Sequence, residues 1–153
     1  FAFFYNLARN NKMVATSTMI NYINRDENVH VDLFVNIYKE ILNDFPHLNT
    51  PEFQQWVTEK LKEAALLEIK WGQHVIGQKF DGIDMDQMDE YIKFMANKRA
   101  IQIGVERPFS RDNRNPMPWI KYFENADDGK TDFFEQKSRQ YVKVSEDNGF
   151  DDL

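Results

Sequence analysis

The sequence predicts an all-α fold with an extended C-terminal tail. Two observations carry that expectation. Apolar residues recur at steps of three and four over three long segments, which places them on one side of a helix. No stretch of useful length alternates apolar and polar residues as a half-buried strand would.

The elements follow in order. Residues 1–9 read as the end of a helix, stopped near Asn10-Asn11. A long helix runs from about Lys12 to Asp44 and is closed by Pro46, because proline cannot continue a helix. Thr50 followed by Pro51 is a helix-start signature, a side-chain oxygen acceptor ahead of a residue with no N–H to satisfy. The helix they start carries Phe53, Val57, Leu61, Ala64, Ala65 and Ile69 and ends at Gly77. Asp81-Gly82 marks a turn, and a fourth helix spans about Asp84 to Gly104 with Met88, Ile92, Met95 and Ile103 on one face. Residues 105–130 read as an extended, turn-rich segment around Asn115-Pro116-Met117-Pro118-Trp119, and residues 131–153 as a flexible tail, in which Phe133 to Val144 forms a short helix or lies extended and Ser145 to Leu153 is acidic. Trp56 and Trp71 are expected to pack, Trp119 to anchor the proline turn, and His47 and His74 to lie at the surface.

Composition narrows the class. The chain has 153 residues, 42% of them hydrophobic and 29% charged, enough for one ordinary core. Its formal net charge of −6 argues against nucleic acid or an anionic membrane surface as the main partner. Cysteine is absent, which removes disulfides and thiolate metal sites and fits a cytoplasmic setting. No apolar run reaches the roughly 20 residues of a membrane span. The chain opens on Phe1-Ala2-Phe3-Phe4-Tyr5 rather than on Met, with no helix-start signal ahead of it. The expectation is a piece of a longer protein whose first half lies upstream.

The chemistry concentrates on the long helix. Glu27 and His30 are three residues apart, in register with Met19, Ile23, Phe34, Ile37 and Ile41. A carboxylate and an imidazole are therefore expected on a buried apolar face. Left unpaired there, the carboxylate would cost on the order of several kcal/mol. A metal ion compensates for this. Glu-x-x-His on an inward-facing bundle helix is half of a carboxylate-bridged two-metal site, the arrangement of ferritin-like bundles.

Further motifs make the pattern specific. Arg25-Asp26-Glu27-x-x-His30 resembles the second Glu-x-x-His segment of the class I ribonucleotide reductase small subunit. Asn115-Pro116-Met117-Pro118-Trp119 is similar to the Asn-Pro-x-Pro-Trp segment that follows that family's helical bundle. Thr131-Asp132-Phe133-Phe134-Glu135 with Tyr141, then an acidic tail ending in Leu153, resembles the end of its chain. The resemblance spans nearly the whole sequence and corresponds to about the C-terminal half of the family's protein.

The resemblance implies a partial ferritin-like helical bundle over 1–104, a Pro-rich turn segment over 105–130, and a tail over 131–153 that docks the large subunit. It implies Glu27 and His30 as ligands of a dinuclear metal centre, with iron expected and manganese the alternative. Asp26, Glu135 and Tyr141 would serve radical transfer, and Phe1 and Ile23 would line the apolar pocket around the radical site. Phe150, Asp151, Asp152 and Leu153 would bind the large (alpha) subunit. A homodimer is implied as well. So is reduction of ribonucleotides for DNA precursor synthesis. Asp26 is the nearest candidate in sequence to accept the second ring N–H of His30. The family's other ligands and its radical-bearing residue lie upstream of Phe1, so two of six expected ligands are present. The alternatives are a non-catalytic helical interaction module with an acidic docking tail, and a related dimetal oxidase without reductase activity.

Overall fold

In the computed structural model the described residues are 1–77, 79–80, 82–110 and 114–124. They form five α-helices, a short 3₁₀ turn and a two-stranded ribbon: α1 (Ala2–Arg9), α2 (Val14–Asp44), the 3₁₀ turn Pro46–Leu48, α3 (Pro51–Ile76), β1 (Lys79–Phe80), β2 (Ile83–Asp84), α4 (Met85–Ile103) and α5 (Ile120–Glu124). The chain divides into two compact units, Phe1–Asn24 with the segment from Ile120, and Arg25–Trp119.

Helix ends fall where local chemistry puts them. After α1 the N–H of Asn11 donates to the Ala8 carbonyl at 2.9 Å and that of Lys12 to the Leu7 carbonyl at 2.8 Å. With Asn11 at φ 57, this is a Schellman stop that uses asparagine in the left-handed position. Thr50 accepts the Phe53 N–H at 3.2 Å, with Pro51 at the first helical position of α3. Asp84 accepts the Gln87 N–H at 2.8 Å to start α4. Gly104, at φ 81, ends α4, and the Val105 N–H reaches the Ala100 carbonyl at 3.0 Å. Ala100 and Val105 are both buried, the apolar contact that accompanies this cap.

In the first unit, α1 packs against α5. Tyr5 is 1% exposed, its ring stacked on Phe123 at 5.7 Å and its hydroxyl donating to Asn21 Oδ1 at 3.2 Å. Burial raises the Tyr5 phenol above its ordinary pKa, Asn24 opposes the shift through a hydrogen bond, and the Glu124 carboxylate adds to it. Asn6, Ser17, Asn21 and Asn24 are buried with it, so this core is polar as well as aromatic.

In the second unit, the antiparallel ribbon pairs Lys79 with Asp84 and Phe80 with Ile83, with Gly82 at φ 92. It turns the chain so that α4 packs along α3. Ala65 and Ile69 of α3 and Met85, Met88 and Ala100 of α4 are buried. The helices approach closely at Gly72, where an added Cβ would stand 3.2 Å from Met85 Cε. A strap follows α4. Asn97, 5% exposed, donates to the Ser110 carbonyl and accepts the Phe109 N–H, both at 3.1 Å. The Thr58 hydroxyl lies 3.3 Å from the Glu106 carbonyl. Asn115 Oδ1 accepts the Met117 N–H at 2.8 Å, an Asx turn that tucks Met117 fully out of water.

Three expectations need correction. A ribbon exists where no strand pattern was expected, because two residues per strand are too few to show alternation. Residues 120–124 form a helical turn inside the segment read as extended. Trp56 and Trp71 are exposed rather than packed, although Trp56 stacks on Phe53 at 6.0 Å.

Candidate metal half-site on α2

Residues 27 and 30 lie one helical turn apart on α2, so their side chains meet. Glu27 Oε2 stands 3.2 Å from His30 Nδ1, a contact that a proton on Nδ1 makes a hydrogen bond to the carboxylate. The periodic reading of this face is right about which residues share it and wrong about its burial. The His30 and Glu27 side chains are 59% and 53% exposed, and Met19, Ile23, Phe34, Ile37 and Ile41 are exposed along with them. Helical period assigns residues to a face; what covers the face depends on neighbouring elements. In water the carboxylate is cheap to hold, so the desolvation cost expected of a buried one does not arise here.

The 3.2 Å separation is an ordinary hydrogen-bond length that two ligands of one cation would also show. Metal–ligand bonds of about 2.1 Å meeting at roughly 90–109° set adjacent donor atoms about 3.0–3.4 Å apart, and the observed 3.2 Å falls within that interval. A carboxylate oxygen and an imidazole nitrogen also suit a borderline first-row metal. Two ligands do not close a site, and no group of three or more His, Cys, Asp or Glu side chains that could hold a metal occurs among the described residues.

Asp26 does not accept from His30 as expected. Glu27 occupies Nδ1, while Asp26 Oδ1 faces the guanidinium of its neighbour Arg25 at 3.7 Å. Both carboxylates lie on the same side of the helix as His30, three and four residues away, so side-chain direction rather than spacing brings Glu27 to the ring. Phe1 and Ile23 are each 48% exposed. His47 and His74 are exposed, as expected. Glu135, Tyr141, Phe150, Asp151, Asp152 and Leu153 lie outside the described residues.

Sequence reasoning missed three polar contacts. Tyr5 with Asn21 and Asn24, and Asn97 with the strap, hold backbone or ring from a distance in sequence. The third joins α3 to α4: Gln73 Nε2 donates to Asp89 Oδ2 at 2.8 Å, while Asp89 Oδ1 is buried with no hydrogen-bond partner among the described residues. A signal existed for the first contact. Ser17, Asn21 and Asn24 repeat at steps of four and three on α2, and asparagine is a poor helix former that needs a reason to be there. No helix among the described residues is long and apolar enough to cross a membrane.

A helical architecture with a Glu-x-x-His pair on one long helix defines the class, a portion of a ferritin-like bundle. The family model for the ribonucleotide reductase small chain matches residues 1–116, and the chain belongs to that family. It is 60% identical over 153 residues to the ribonucleoside-diphosphate reductase subunit beta of Halalkalibacterium halodurans, covering 100% of this chain and 44% of that protein. The crystal structure of a class I ribonucleotide reductase from Bacillus halodurans superposes with a TM-score of 0.76 at 56% identity, over 79% of this chain and 43% of that one. The ribonucleotide reductase R2 subunit of Clostridium botulinum gives a TM-score of 0.77 at 40% identity, over 80% and 39%. The chain thus spans less than half the length of these relatives.

Proposed function

We propose that this chain is the part of a ribonucleoside-diphosphate reductase small subunit that supplies Glu27 and His30 to a dinuclear metal centre. The observation that carries this reading is the 3.2 Å Glu27–His30 contact on α2, in a chain 60% identical to such a subunit. The bare apolar stripe around the pair supports it. Bare apolar residues on both sides of the pair, Ile23 and Phe34 among them, are the kind of surface that partners cover, and covering them would place the pair in the low-dielectric setting where a cation offsets the carboxylate charge.

When bound, iron, or manganese in its place, supplies oxygen activation and one-electron oxidation. The residues of this chain hold, orient and transfer. Glu27 would contribute charge and His30 a neutral imidazole, with its Nδ1 lone pair toward the metal and its proton on Nε2. Asp26, exposed beside Arg25, is proposed for the radical-transfer route, with Glu135 and Tyr141 of the tail. A tyrosine suits that relay because its phenol gives up an electron and a proton together. Phe1 and Ile23 would keep the radical site dry. The acidic end, Phe150 to Leu153, would dock the large subunit, where the ribonucleotide is reduced, and a homodimer and a cytoplasmic setting follow the same reading. The names of the relatives favour neither the oxidase nor the non-catalytic module.

The test is Glu27→Ala in a full-length small subunit carrying this segment. Elemental analysis should show metal content reduced by half or more. Unchanged occupancy would overturn the assignment of Glu27 as a ligand.

A further inference from the structure

We draw no further inference here: the strongest candidate, the exposed apolar face of α3 formed by Trp56, Leu67, Trp71 and Val75, is bare, and nothing in the structure shows what covers it.

Discussion

The α3–α4 pair and the Glu27–His30 face of α2 are both helical, both amphipathic and opposite in state. Between α3 and α4 the apolar residues are buried, both helix starts are capped by side chains, and a strap is held down by an amide. On α2 an apolar stripe of similar length stands in solvent with a carboxylate and an imidazole in its middle. The first region is stabilised by what is present. The second is left exposed, and only the proposed function reads it as covered in a full-length small subunit. The difference separates residues packed against a neighbouring helix from residues left bare, and it can be tested from either side.

The largest stability effect is expected at Asn97. Asn97→Ala removes both hydrogen bonds by which the buried amide holds the strap. At about 1 kcal/mol for each bond, with an added share for a buried site, the loss is about 2–3 kcal/mol. Urea unfolding measures it, and a change under about 0.5 kcal/mol would show that the strap is not a structural part of the pair. Gly72 comes next. Gly72→Leu overpacks the point where Met85 Cε already stands 3.2 Å from an added Cβ, and should cost roughly 2 kcal/mol. Gly72→Ala should be close to neutral, since a flexible methionine end can move and alanine gains about 1 kcal/mol of helix propensity over glycine. Equal effects of leucine and alanine would remove the close-packing argument.

These two sites also show where legibility ended. Thr50-Pro51, Gly104 and Asn10-Asn11 announced their helix boundaries because caps and stops act within a few residues. Asn97 announced nothing, because its partners are 12 and 13 residues away and depend on how the strap folds back. The ribbon and α5 were too short to show a period. For the candidate site, the period correctly placed Glu27 and His30 on the stripe of Ile23 and Phe34, but burial is a property of packing and not of one helix. The choice of Glu27 over Asp26 as partner of His30 rests on side-chain direction, which sequence spacing leaves open.

Asp89 sharpens the comparison through pH, with a smaller effect. Burial raises its carboxyl above the ordinary 3.8; the Gln73 hydrogen bond and Lys93 oppose the shift, and Asp86 and Glu90 add to it. A carboxyl with a folded pKa above its unfolded value binds its proton more tightly in the folded state. Its contribution is therefore fully present below the unfolded value of about 3.8 and is lost as pH rises from there through the raised folded value. Asp89→Asn keeps an oxygen for Gln73 and removes the charge. The melting temperature at pH 7 should rise slightly, and the gain should vanish when the comparison is made near pH 3. A gain independent of pH would assign the effect to packing instead.

The smallest effect is expected on α2, and it is the one that discriminates. Phe34 is 68% exposed, so Phe34→Ser in the 153-residue chain should change unfolding free energy by less than about 0.5 kcal/mol, as for other surface substitutions. In a small subunit of the relatives' full length, the proposed function requires this stripe to be covered. The same substitution should then cost about 2 kcal/mol or more, the loss of a buried ring together with the space it leaves. Serine is chosen over alanine because its hydroxyl adds a desolvation cost only where water is excluded. A neutral outcome in both proteins would mean that the stripe never leaves water. Glu27 and His30 would then be an ordinary surface pair, and the physical case for a cation between them would fall with the burial that was meant to require it.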